Sequence, residues 1–441
     1  ARHWLGSGRP VGMDSATDRT VVGWGTCWHG DGAPGFWPWM RALDEVANAV
    51  GSNAASAAAG HDAGLLSLLI RELGSPEPAV GDLDRHRLLL LDAAAGWLET
   101  LAADRHVVVV LDDLQWADSS TFDLIDYVIG TPRTARLLLI GAFRHDELDQ
   151  ERRARLATIG SHAGDVHLEG LTVDGVEELV GAIPGLLASR SLAADLHRRT
   201  GGHPLFVGEL ARLKAAGDLV ALPTLVTGAV TRRLDALSME SRRVLEVASV
   251  LGNRLLLDVL ATVAETTTVA VLGHLAPAID AGLIRTAPDD EFWFTHDIYR
   301  ETLYSELDAA DRSGLHAAVA AALEVRRKRG AEVPPGDVAL HYVHAIATVE
   351  PTRAIRWADE AAQDERRRLA FSEAAGHLRR VRLAAIDGGW HIEPDVMTRL
   401  LMDEADNHAR SGDPEVARDL LVQAARAAPG AEELADVALA V

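Results

Sequence analysis

Residues 105–113, RHVVVVLDD, constrain the fold more than any other stretch. Four consecutive valines and a leucine are apolar on both faces, and a strand buried on both sides belongs to a parallel sheet covered by helices. The run ends in Asp112 and Asp113. A carboxylate at the end of a buried strand is costly unless a cation or hydrogen-bond donors meet it, because the desolvation penalty persists after relaxation. Paired acids there suit a magnesium ion on a nucleotide, with Asp112 on the metal side and Asp113 beside an attacking water. The alternative is structural, in which the acids cap the next helix or pair with an arginine such as Arg144.

The flanking sequence repeats an alternation of strands and helices. TVVGWGTCW (20–28) reads as a buried strand, followed by the aromatic residues Phe36, Trp37 and Trp39 and a helix over 37–50. With Trp24 and Trp28 these aromatics form a set expected to pack in a core rather than to cage a ligand. Residues 51–64, GSNAASAAAGHDAG, are expected to form a flexible surface excursion. Over 84–103, Leu88, Leu91, Ala95, Leu98 and Leu101 recur at three- and four-residue steps, which marks one helix face. Residues 118–121 offer N-caps for a helix ending near Ile129, with Ser120 and Asp123 spaced as a capping box. RLLLIGAFR (136–144) is a further strand and DVHLEGL (165–171) a weaker one, so this part of the chain is α/β.

After Leu171 helices take over, with a break at TGGHP (200–204). Between 230 and 330 the order is helix, helix, short hairpin, which suits a winged helix. From about Asp337 onward every segment is amphipathic helix. There Glu373, Ala375 and Leu378 recur as Glu415, Ala417 and Leu420, an offset longer than the tetratricopeptide period of about 34 residues. The reading is a helical-hairpin repeat with an insertion.

Composition excludes several classes. A chain of 441 residues suggests about three domains. With 48% apolar and 24% charged residues it folds rather than staying disordered. A net charge of −22, from 65 acids against 43 bases, repels phosphate backbones and anionic lipid. The single cysteine, Cys27, permits no internal disulfide, and neither a signal peptide nor an apolar run of about 18 residues occurs, so a cytoplasmic protein without membrane contact is expected. The chain starts with Ala and stops in a helical pattern, so both ends read as cuts in a longer protein.

Only two lysines occur, Lys214 and Lys328, and this decides a central point. A phosphate-binding G-x-x-x-x-G-K-[ST] loop needs glycines for its backbone N–H cradle, a lysine for the phosphate charge and a hydroxyl for magnesium. The nearest shape, SGRPVGMD (7–14), has Met13 and Asp14 where lysine and hydroxyl would stand. Other constellations fall short. Cys27 and His29 have no second pair at zinc spacing. His341 and His344 lack an acidic partner at metalloprotease spacing. The RRKRG run (326–330) is a solvated helix end.

VVVVLDDLQWADSSTFDLIDYVI (107–129) closely resembles the Walker B segment of the large ATP-binding LuxR-type regulators, a branch of the signal-transduction ATPases with numerous domains. GTCWHGDGAPGFWPWMRAL (25–43), LLLIGAFRHDEL (137–148), TGGHPLFVGEL (200–210), RRLDALSMESRRVLEVASVLG (232–252) and FTHDIYRETLYSEL (294–307) match that family in the same order. The resemblance implies an incomplete P-loop NTPase-like parallel sheet followed by a helical lid, a winged-helix domain and TPR-like α-helical repeats. The boundaries are 1–19 for an irregular non-family segment, 20–171 for the sheet domain, 172–229 for the lid, 230–334 for the winged helix and 335–441 for the truncated repeats.

The same resemblance implies ATP or ADP with Mg2+ as the parent family's cofactors, or none bound here, with Asp112 as metal ligand and Asp113 as catalytic acid. Arg144 would read the γ-phosphate side. Pro204 would pack near the adenine, with His203 where asparagine is usual, and His296 would reach the phosphates. Without the family, His296 reads as a half-buried core histidine. The implied function is a nucleotide-regulated switch of an ATP-dependent transcriptional regulator, defective in ATP binding for want of the phosphate loop. A small-molecule or protein inducer would act at the repeats, DNA would be reached only through an output domain absent here, and a homo-oligomer stays open. The alternative is a non-catalytic interaction scaffold, a pseudo-ATPase acting through its repeats.

Overall fold

The computed structural model describes residues 20–27, 34–74, 83–130, 136–183, 186–215, 231, 233–252, 254–287 and 291–440. They build two compact units, one from within Ala1–Ala163 and Glu332–Val441, the other from within Gly164–Ala331. The expectations placed on residues 1–19, Trp28 and His29 lie outside the described residues.

In the first unit, β1 (Thr20–Thr26), β2 (His106–Asp112) and β3 (Leu137–Gly141) form a parallel sheet in the order β1-β2-β3. The valine run is the central strand, with Val109 paired to Gly23 and to Leu139, and Val107, Val109 and Leu111 are fully buried. Helix α1 (Trp37–Val50) lies on β1 and starts and ends where the sequence predicts. Its close approach needs glycine: a Cβ on Gly23 would sit 2.1 Å from the Ala42 carbonyl oxygen, and one on Gly25 1.8 Å from that of Pro38. Trp39 is fully buried and its indole N–H donates to the Thr121 carbonyl at 3.1 Å, while Phe36 is fully buried as well, in line with the core reading of these aromatics.

The sequence-based expectations fail at four places in this region. Residues 52–59 form helix α2, with Ala55 and Ala59 buried, instead of a flexible excursion. In α3 (Leu83–Ala102) the buried side runs through Leu91, Ala94, Ala95, Leu98 and Leu101, whereas Leu88 is 62% exposed. Helix α4 (Ser119–Gly130) is capped by Asp118, whose Oδ1 accepts the Thr121 N–H at 2.7 Å, and Asp123 pairs with Arg87 and Arg155 rather than closing a capping box. The sheet is not covered on both sides throughout, because Leu138 and Ile140 of β3 are 54% and 41% exposed. Helix α5 (Gln150–Gly160) follows β3 and takes its N-cap from Asp149.

The second unit is mainly helical. DVHLEGL is no strand, and Val166 and Leu168 lie in the open. Helices α6 (Val173–Gly181), α7 (Arg190–Thr200) and α8 (Pro204–Ala215) pack around Val176, Val180, Leu196 and Val207. Then come α9 (Met239–Leu251), α10 (Leu257–Val263) and α11 (Thr268–Asp280). An antiparallel sheet of β4 (Arg254–Leu255), β5 (Ile284–Ala287) and β6 (Glu291–Phe294) has the order β4-β6-β5. Helices α12 (Asp297–Glu306) and α13 (Ala309–Lys328) complete the unit. Glu209 of α8 is buried between Arg212 and Arg233, and Arg233 also donates to the Tyr299 hydroxyl at 3.0 Å. No single described helix is long and apolar enough to cross a bilayer.

The first unit resumes with α14 (Pro335–His344), α15 (Pro351–Arg367), α16 (Phe371–Asp387), α17 (Pro394–Ser411), α18 (Pro414–Ala427) and α19 (Ala431–Ala440), each packed on the next. The recurring frame falls at the starts of α16 and α18, and Ala375, Leu378, Ala417 and Leu420 face inward. The period exceeds the tetratricopeptide length because α16 and α17 run to 17 and 18 residues and residues 388–393 connect them. Leu369, Ala370 and Phe371, at the α15–α16 corner, pack into the core of the sheet half beside Phe36, Trp39 and Phe122.

Candidate functional site

The site is built at the C-terminal ends of the parallel strands, where open α/β sheets bind ligands. Asp112 is the last residue of β2, in register with Thr26, and its carbonyl accepts the Cys27 N–H at 2.9 Å. Its Oδ1 accepts the N–H of Asp113 at 3.1 Å. Asp113 has φ 58° and ψ 42°, a left-handed conformation that aspartate tolerates better than a branched residue. This turn lets the Leu114 N–H reach the Ala142 carbonyl at 2.9 Å and ties the end of β2 to the end of β3.

Gln115 organises the cluster, and sequence reasoning missed it. Its side chain is 1% exposed. Nε2 donates to Asp113 Oδ1 at 3.1 Å and to Glu147 Oε2 at 3.3 Å, and Oε1 accepts the Arg144 N–H at 3.1 Å. The Arg144 guanidinium lies 2.8 Å from Glu147 Oε1 and is half exposed. The fold thus brings Asp112, Asp113 and Arg144 together. The capping alternative for the two aspartates does not hold, since Asp118 caps the following helix.

Arg152 of α5 is a second residue the sequence did not single out. Its Nε donates to the Ala117 carbonyl at 3.0 Å, and its Nη1 pairs with Asp149. Burial raises the Cys27 thiol well above its ordinary value, and the negative charges of Asp118, Asp113 and Asp112 add to the effect, with Arg152 opposing it. That thiol is therefore neutral.

The other expected residues belong to the second unit. His203 precedes α8, with its ring stacked on Phe206 at a centroid distance of 4.2 Å, and Pro204 is the helix's first residue. Gly201 and Gly202 ahead of them have φ 62° and 78°. His296 sits at the N-cap position of α12, with its ring 6.2 Å from that of Tyr299. It is exposed, which overturns the core-histidine reading.

Magnesium takes oxygen ligands, commonly one or two carboxylates with waters and substrate phosphates completing the shell. Asp112 fits such a role. No cluster of three or more His, Cys, Asp or Glu able to hold a metal exists among the described residues.

Residues 13–140 match the sequence pattern of the AAA ATPase domain. The matched span takes in β1, β2 with Asp112, and Asp113, and stops just before the end of β3. No curated protein sequence matches the chain. Among solved structures, a signal-transduction ATPase with numerous domains and a tetratricopeptide repeat sensor, from Pyrococcus horikoshii, aligns over 90% of this chain and 57% of its own length, at 13% identity and TM-score 0.46. This chain therefore spans little more than half of that protein. A Thermotoga maritima RuvB variant aligns over 53% of this chain and 86% of its own, at 14% identity and TM-score 0.20. Likenesses this loose carry no functional argument. The fold class is a P-loop NTPase-like parallel sheet, in a chain that is mostly helical and ends in a helical-repeat region.

Proposed function

We propose that the chain is part of a nucleotide-responsive signalling switch whose sheet keeps the magnesium side of an ATPase site and lacks the phosphate-holding side. The observation that carries this reading is Asp112 at the C-terminal end of the central parallel strand, beside Asp113 and the Gln115–Arg144–Glu147 network. When a magnesium nucleotide is bound, Asp112 would hold the ion, which supplies charge neutralisation at the phosphates. Asp113 would orient water, and Arg144 would turn from Glu147 toward phosphate. His203, Pro204 and His296 keep the roles that the family resemblance implies for them. In this reading the repeats receive an inducer, and a LuxR-type output domain elsewhere in the parent protein acts on DNA.

No lysine occurs before residue 214, so the sequence holds no G-x-x-x-x-G-K-[ST] lysine. Without the loop's cradle and lysine, the chain binds ATP·Mg no tighter than about millimolar. Isothermal titration of the full chain with ATP·Mg tests this. Weak binding lost in Asp112→Ala supports the reading, and micromolar affinity, or binding indifferent to Asp112→Ala, overturns it.

One observation favours a second reading, a non-catalytic scaffold. Leu369, Ala370 and Phe371 complete the core of the sheet half, so repeats and sheet share one core. A scaffold predicts no calorimetric signal with ATP·Mg and partner capture that survives Asp112→Ala.

A further inference from the structure

Three carboxylates meet one turn where the repeats pack on the sheet half. The Gly35 N–H donates to Glu365 Oε2 at 2.9 Å, and the next N–H, of Phe36, donates to Asp118 Oδ1 at 3.1 Å. The Ser120 N–H and Oγ donate to Glu373 Oε1 and Oε2 at 3.3 and 2.7 Å. A Cβ on Gly35 would lie 3.2 Å from Glu365 Oε2, 3.4 Å from Glu373 Oε2 and 2.4 Å from Ala370 Cβ, so both glutamates close over the same bare Cα. Glu365 is 2% exposed. The Asp118 residue keeps a partial opening to solvent, but its carboxylate is ringed by donors from Phe36 and Thr121.

The nearby cations are committed elsewhere. Arg368 lies 4.0 Å from Glu365 but 2.8 Å from Asp364. Arg87 donates to the Leu369 carbonyl and pairs with Asp123, and Arg152 pairs with Asp149. On α16 the buried His377 hydrogen-bonds Arg380 and is held neutral by burial and by that arginine. Among the described residues, the neutral Cys27 thiol also feels Asp118, and Arg410, over the Phe371 ring, pairs with Asp406. Carboxylates gathered on one turn, with Glu365 buried and Arg368 shared with Asp364, cannot all ionise without strong mutual repulsion.

We propose that this seam is a proton-operated latch: neutral carboxyls at Asp118 and Glu365 hold the repeats on the sheet half, and loss of their protons loosens the contact. Two effects act on Asp118, burial and the charge of Glu373, and together they push its carboxyl up to about 7 against the donors of Thr121 and Phe36. Burial pushes Glu365 up to about 8, with Arg368 and the Gly35 N–H opposing and Glu373 and Asp364 adding. Released into water, both return to ordinary values near 4. Opening therefore releases protons: it is suppressed in acid, grows between about pH 5 and 8, and levels off above the folded-state values.

Amide hydrogen exchange on the full chain tests the latch, with the opening equilibrium read at Gly35, Phe36, Ser120 and Thr121 after correction for the intrinsic pH dependence of exchange. From pH 5.5 to 6.5 opening is expected to rise at least about ten-fold, the factor for one released proton. Glu365→Gln, which keeps the shape and cannot ionise, lowers that slope and keeps the seam closed at pH 8. Asp118→Asn acts the same way and retains an N-cap residue; if it fails to fold, Glu365→Gln alone decides. A pH-independent opening overturns the proposal. So does a slope unchanged in Glu365→Gln, or exchange at Leu401 and Leu420 that follows the seam, which would mean unfolding of the whole unit.

Discussion

Gln115 Nε2 lies 3.1 Å from Asp113 Oδ1, and the same amide receives the Arg144 N–H through its oxygen. One buried side chain thus fixes both the acid at the end of β2 and the segment leaving β3. Gln115→Ala leaves these groups without their partner and is expected to lower stability by about 1–3 kcal/mol. Gln115→Glu is expected to be worse, since it sets a third negative charge between Asp113 and Glu147. Urea denaturation of the two variants checks both the size and the order.

In the repeats, Arg382 and Glu404 form a buried fork, with Nε and Nη2 donating to the two carboxylate oxygens at 2.8 and 3.0 Å. Removing one partner strands the other charge in a site 2% exposed at Glu404. Arg382→Ala or Glu404→Ala is expected to cost about 3–5 kcal/mol, while replacing both with apolar residues of similar volume costs far less. Denaturant midpoints of the two single variants and the double variant test this; equal losses in all three would refute it.

His341 supplies a pH dependence of opposite sign to the latch. Burial lowers its imidazole to about 3, with His344 adding to the effect, so the folded chain keeps it neutral. Below the ordinary histidine value near 6.5 the unfolded chain takes up a proton that the folded chain refuses. Stability therefore falls as pH drops from about 6.5 toward 3. Thermal midpoints recorded between pH 4 and 7 are expected to drop less steeply in His341→Gln than in the parent chain.

Much of the sheet half was legible because its signals are local. Four valines ending in two acids read as a buried strand, and α1 runs from Trp37 to Val50 as expected. Helix α2 was missed because an alanine-rich run has no apolar stripe, although alanine is the strongest helix former. Val166 and Leu168 mimicked a strand by alternation alone, and nothing in the sequence told that they find no cover. Leu88 fits the period of α3 yet lies beyond the reach of the core. Of the candidate cluster, Asp112 and Asp113 stood out in the sequence as acids at the end of an apolar run and Arg144 through the family resemblance, whereas Gln115 is a neutral residue in an apolar context. The carboxylate seam was invisible, because Gly35 and Glu365 are 330 positions apart and Ser120 and Glu373 are 253.

The same distance in sequence bears on how the polypeptide is made. Phe371 and its two neighbours fill a core whose other buried and packing residues all precede residue 160, so a ribosome finishes most of that half long before its last pieces emerge. Until then Phe36, Trp39 and Phe122 line an open, sticky face while the intervening helical unit is synthesised, and newly made chains at this stage are candidates for chaperone capture or mispairing. Truncation just ahead of Leu369 would leave that exposure permanent.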